Sequence, residues 1–105
     1  MSRNIYDMDV QIADEVACLL FGICHLDIRR QTRQQARVEA RQMIWKVLKE
    51  RGYRVCELAR IYERDHNAIH CGIKRISMKI EYDRRLETKY KLLKGRMKDA
   101  THVIN

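Results

Sequence analysis

The stretch from Val55 to Ile80, VCELARIYERDHNAIHCGIKRISMKI, decides how the rest of the chain is read. Its first eight residues place Val55, Leu58, Ala59 and Tyr62 on one side of a two-turn helix. Glu63 and Arg64 follow. Asp65 then suits the cap of a second helix, whose isoleucines at 69, 73, 76 and 80 recur at offsets of four, three and four. A short helix, a tight turn and a longer helix make a helix-turn-helix, in which the second helix enters the DNA major groove with its first residues against base edges. Those residues here are His66, Asn67 and, one turn later, His70, on the side away from the isoleucines.

Downstream of Ile80 the apolar stripe changes phase: Tyr82, Leu86, Tyr90, Leu93 and Met97 form a second face that Ile80 does not join. This predicts either a bend near Glu81 to Asp83 or a separate final helix. The 86, 90, 93, 97 spacing suits packing back onto the same domain, and it also suits a short coiled-coil seam that joins two copies as a homodimer. Residues 1–80 are therefore expected to form the domain and 81–105 a C-terminal helical extension.

Upstream, Ala36, Ala40, Met43, Ile44, Val47 and Leu48 recur at helical spacing between about Gln34 and Arg51, and Gly52 supplies a stop. A further helix is expected from Asp9, as N-cap, to Phe21, with Gly22 as its C-terminal cap. Between the two lie an apolar turn at Ile23 to Ile28 and a basic linker. With no proline and no alternation at period two, the predicted fold is all-α.

Charge is distributed unevenly along the 105 residues. The net charge is +8, yet residues 1–28 sum to −4 and residues 29–51 to +6, the latter from Arg29, Arg30, Arg33, Arg37, Arg41, Lys46, Lys49 and Arg51 against Glu39 and Glu50. If one helix face presents that block, it is the footprint of a polyanion binder; it is equally what a solvated surface of a soluble protein carries. No apolar run has the length of a membrane span and the N-terminus lacks a secretory layout, so a cytoplasmic protein without membrane contact is expected. Cys18, Cys24, Cys56 and Cys71 show no CxxC spacing and read as buried thiols rather than disulfides or zinc ligands.

Glu63-Arg64-Asp65-His66-Asn67-Ala68-Ile69 resembles the G-R-D-H-T-T-V signature of the C-terminal DNA-binding domain of DnaA, the bacterial replication initiator, a Trp-repressor-like helix-turn-helix. Arg41-Gln42-Met43 is similar to that family's R-Q-M. Arg33 stands eight residues earlier, where the family has an arginine that enters the minor groove. Glu57 to Tyr62 is similar to E-I-G-x-A-F, and the resemblance spans roughly residues 9–80. It implies a standalone, sequence-specific reader of double-stranded DNA in replication or transcription control, in a bacterial or phage setting. The implied roles are Arg33 in a narrow minor groove, and Arg41 and Gln42 on phosphate at a helix start. Asp65 would cap the helix and accept from a cytosine amino group, His66 would touch base edges or a thymine methyl, and Asn67 would pair with adenine. Arg64, Lys74 and Arg75 would contact phosphate. The sequence departs from the pattern at Asn67 and Ala68, where the family has threonines, at Cys56 in place of proline, and in lacking one glycine at Glu63. These changes fall on the reading surface, so the fold carries over better than the preferred DNA sequence.

No GxxxxGK[ST] motif is present, so nucleotide binding is not expected. His66, His70 and Cys71 have a workable metal spacing, but no second ligand cluster or HExxH glutamate accompanies them; no metal, cofactor or catalytic activity is expected. The rival reading is a protein-interaction adaptor that uses the acidic first helix and the 82–97 stripe.

Overall fold

The structure, a computed structural model, describes the backbone of residues 2–23 and 35–104 and the side chains of 8–23 and 35–97. Five α-helices and no strand occur among the described residues: α1 (Ser2–Phe21), α2 (Gln35–Glu50), α3 (Val55–Tyr62), α4 (His66–Tyr82) and α5 (Arg84–Ile104). None of these helices is long and apolar enough to cross a membrane.

Helix α2 is the central element, packed by α1, α4 and α5. Ala40, Met43, Ile44, Val47 and Leu48 are buried as the periodicity predicts, while Ala36 is exposed. Arg41, Gln42 and Trp45 are buried as well, so the helix is covered all round through its second half. Both glycine stops work by one mechanism. Gly22 at φ 66° and Gly52 at φ 110° adopt the left-handed region, and the next residue's N–H reaches back five positions, Ile23 to Cys18 and Tyr53 to Leu48.

The beginning of α1 differs from expectation. Asp9 is not its N-cap; the helix starts at Ser2, and the Asp9 carboxylate lies 3.5 Å from the Arg51 guanidinium. A cap-favouring residue is tolerated inside a helix when a tertiary partner takes its charge. Asp14 is buried to 2% exposure and accepts the Tyr62 hydroxyl at 2.7 Å, joining α1 to α3.

Helix α3 has the predicted bounds, and Glu57 Oε1 accepts the Arg54 N–H at 2.9 Å in its first turn. It ends at Glu63, whose φ of 54° is the left-handed conformation that the expected glycine would supply without strain. The Arg64 N–H then bonds to the Ala59 carbonyl at 2.9 Å. In α4, Ile69 and Ile76 are fully buried and Ile73 and Ile80 pack beside them.

The phase change after Ile80 marks a separate helix. Asp83 breaks the chain at φ −121°, ψ 108°, and its Oδ1 accepts the Arg85 N–H at 3.0 Å, capping α5. Leu86, Leu93 and Met97 face inward from α5 onto the chain's own core, with Tyr90 half-buried. Tyr82 does not join them: it ends α4 and is 86% exposed. The thiols also divide. Cys18 is buried, but Cys56 and Cys71 are exposed, contrary to expectation, because the apolar neighbours that surround them in sequence turn inward while they turn out.

Candidate nucleic-acid interface

Residues 65–68 at the start of α4 are all exposed, as are His70, Cys71, Lys74 and Arg75. Asn67, His70, Cys71 and Lys74 share the face opposite Ile69 and Ile76 because positions three, four and seven apart lie together on a helix; His66, three residues before Ile69, instead stands on the isoleucine side, contrary to expectation, and is exposed because it begins the helix. Asp65 occupies the N-cap position with extended geometry, and its carbonyl accepts the Ile69 N–H at 3.1 Å. Its carboxylate makes no capping bond, contrary to the expected cap, and stays exposed to solvent. Glu63 and Asp65 are the two acidic residues of this turn, and both are exposed.

Beside this tip, α2 and α4 enclose a pocket of about 260 Å³ lined by Arg41, Gln42, Trp45, Arg64, Ala68, Cys71, Gly72 and Arg75. Three guanidiniums and no carboxylate are among these residues. The helices approach closely because position 72 has no Cβ: one built there would lie 2.7 Å from the Trp45 ring and 3.2 Å from Gln42 Cγ. Trp45 in turn carries the Arg41 guanidinium 5.7 Å from its ring centroid and meets Tyr62 edge to face at 6.2 Å. Burial lowers the Arg41 pKa below the usual arginine value, and the positive charge of Arg64 lowers it further. The chain has brought like charges together where water is partly excluded, an arrangement that an anion stabilises.

Of the residues singled out from the sequence, Arg41, Gln42, Arg64 and Arg75 meet around this pocket, and Asp65, His66, Asn67, His70 and Lys74 lie on the adjoining exposed surface. Arg33 lies outside the described residues. Arg41 and Gln42 do not begin a helix. They stand mid-way along α2, 9% and 8% exposed, with their backbone N–H groups committed to the helix, so their side chains alone can reach a ligand. Nor does the basic block form one face. Lys46 points to the other side of α2, where it contacts Ser77 at 3.0 Å and Glu50 at 3.2 Å, and Arg51 pairs with Asp9. A spacing of nine residues from Arg37 to Lys46 turns the helix by about half a revolution.

Trp45, Cys71 and Gly72 line the pocket and were not anticipated. Gly72, isolated inside an apolar helical pattern, was the available signal, since such a glycine marks close approach of a neighbour. Among the described residues no group of three or more His, Cys, Asp or Glu side chains is placed to hold a metal ion. No protein-family model matches the chain, and no curated protein matches it either.

Proposed function

We propose that this chain is a sequence-specific binder of double-stranded DNA rather than an enzyme, and that α3 and α4 act as a helix-turn-helix of the DnaA C-terminal, Trp-repressor-like kind. The observation that carries the reading is the exposed tip of α4, His66 and Asn67, adjoining a pocket that gathers three guanidiniums. In this reading Arg41, Gln42, Arg64, Lys74 and Arg75 hold the backbone, which fixes register. Asp65, His66 and Asn67 read base edges, with His70 one turn behind, and Arg33 takes the minor groove. The carboxylate of Asp65, not used as a cap, is available to accept from a cytosine amino group. A role in replication or transcription control follows from the resemblance of residues 63–69 to the initiator's signature.

The adaptor reading has less to work with. Asp9 and Asp14 are engaged by Arg51 and Tyr62, and Leu86, Leu93 and Met97 are buried in the chain's own core. An adaptor or a homodimer would have to use other side chains. The deciding experiment is selection of bound sites from random duplex DNA, followed by affinity against salt. Contact with roughly five phosphates predicts a log–log slope of about −4.5. His66→Ala or Asn67→Ala should then relax preference at one or two positions by about 1–3 kcal/mol, whereas Lys74→Ala should weaken all sequences alike. No enriched motif, together with a flat salt response, would refute the proposal.

A further inference from the structure

At the far end of α4 from His66, two large apolar side chains stand in solvent one helical turn apart, Met78 at 56% exposure and Tyr82 at 86%. They edge an open groove of about 540 Å³ between the end of α4 and the starts of α2 and α5, lined also by buried Leu86. Apolar surface gathered around a groove, unlike a lone exposed side chain, marks an interaction site. Charge decides what fits it. The lining carries Glu39 and Asp83 against Lys79 and Arg84, which sum to zero in a chain of net charge +8. DNA finds no excess of positive charge there, and neither a strongly acidic nor a strongly basic protein finds a complementary field. A second copy of this chain does. A two-fold contact sets a patch against itself, so it suits a patch whose signs balance. The guanidinium pocket fails that condition, since three arginines would face three more. So does the exposed apolar patch at Leu19 on α1, where Glu15 is the one charged lining residue and would meet its own copy.

We propose that the groove at Met78 and Tyr82 is a two-fold interface between copies of this chain. Tyr82 of each copy enters the groove of the other, and the two Met78 side chains are covered. Asp83 gives one carboxylate oxygen to the cap of α5, which leaves the other to accept from Arg84 of the second copy. Two tyrosines and two methionines bury on the order of several hundred Å², the low end for protein interfaces, so the dimer is weak, with a Kd on the order of 10–100 µM. Tyr82 stands sixteen residues beyond His66, roughly 24 Å along the helix axis, so a copy docked there leaves the α4 tip uncovered. The dimer therefore presents two tips at once, and the DNA it prefers is an inverted repeat. That last consequence rests on the proposed function, whereas the self-association does not.

The test is sedimentation of the full chain without DNA, from about 5 µM to about 1 mM, a range that brackets the expected Kd. The average mass should rise from 12.6 kDa toward twice that value. Tyr82→Ser should weaken association about tenfold or more and leave the urea midpoint unchanged, because so exposed a ring contributes little to the core. Leu19→Ser, which removes an equally prominent apolar side chain from α1, should associate as the parent does. A parent that stays monomeric at every concentration overturns the proposal and leaves the groove to another protein. Association lost in Leu19→Ser and kept in Tyr82→Ser overturns it as well. Site selection from random duplex DNA is then run on the parent and on Tyr82→Ser. The parent should enrich inverted repeats and the variant single half-sites. If both enrich the same single site while the parent dimerises, the paired reading is overturned. If neither enriches any site, the proposed function fails while sedimentation still decides the dimer.

Discussion

Two clusters of charge sit on the central helix, and they are built oppositely. Toward its end, Glu50 collects Lys46 at 3.2 Å, Lys94 at 3.7 Å and the Tyr90 hydroxyl at 2.5 and 2.6 Å, while both ammonium groups lie 5.2 Å from the Tyr90 ring centroid. Cations there have an anion supplied by the chain itself. Near the middle of the same helix, Arg41 faces Arg64 and Arg75 around a pocket lined by no carboxylate. The first arrangement fastens α5 to α2. The second lines an opening to solvent with guanidiniums, so the difference separates charge that fastens one helix to another from charge that the proposed function assigns to binding.

The largest expected effect comes from removing charge from the second cluster. Arg41→Gln with Arg75→Gln should weaken DNA binding about a hundredfold or more, since each charge-assisted contact contributes roughly 1.5–3 kcal/mol. Stability should fall less than binding, because the lost contact with Trp45 is offset by relief of repulsion with Arg64. Binding to a short duplex by fluorescence anisotropy, alongside urea denaturation, measures both. A loss of stability as large as the loss of binding would show that the two clusters serve one purpose, which erases the contrast. Gly72→Ala comes next. Its Cβ meets the Trp45 ring, and such overpacking costs about 1–3 kcal/mol. The better helix propensity of alanine offsets about 1 kcal/mol of that. The single tryptophan should report the shift as a changed emission maximum, and DNA affinity should fall as α4 is pushed away from α2.

Local elements were legible in the sequence and their surroundings were not. The bounds of α3, the isoleucine face of α4 and the stops at Gly22 and Gly52 depend on near-neighbour spacing and backbone geometry, which periodicity and glycine report directly. Periodicity does not say what covers a face. Helix α2 is enclosed by three others, so Arg41, Gln42 and Trp45 are buried at positions that its six-residue apolar pattern left outside, and the basic block divides between two sides. The Asp14–Tyr62 bond spans 48 positions of sequence and joins a carboxylate counted as acidic surface to a tyrosine counted as apolar. For the candidate site, the polar tip of α4 was identified residue by residue. The pocket was not, because it exists only where two helices separated by a third meet.

The turn between α3 and α4 offers a smaller test. Glu63 holds a left-handed conformation and places a carboxylate next to Arg64. Glu63→Gly should relieve about 1 kcal/mol of backbone strain, partly cancelled by the greater freedom of glycine in the unfolded chain. It should also tighten DNA binding by removing a negative charge beside the proposed interface. If Glu63→Gly lowers affinity instead, that carboxylate orients the α4 tip, and the second cluster is less purely cationic than its lining suggests.

The smallest effect belongs to the Glu50 cluster and appears only in alkali. The Tyr90 pKa is raised well above the usual tyrosine value, first by burial, then by its hydrogen bond to Glu50 and by that carboxylate's charge. The folded state thus holds the phenolic proton more tightly than the unfolded chain does. Its contribution to stability is fully present below the unfolded value, about pH 10, and is lost as pH rises toward the higher folded value. Urea denaturation between about pH 9 and 11 should show the parent losing stability faster than Tyr90→Phe, which has no phenol to ionise. Glu50→Gln should flatten the same pH profile by bringing the phenol back toward its ordinary value. At neutral pH it should cost below about 1 kcal/mol, as expected of partly exposed ion pairs. It should leave DNA affinity unchanged, which is the outcome that keeps the two clusters distinct. If Glu50→Gln altered binding as strongly as the arginine substitutions, charge at the end of α2 would be coupled to the pocket at its middle, and the division of labour along the helix would have to be abandoned.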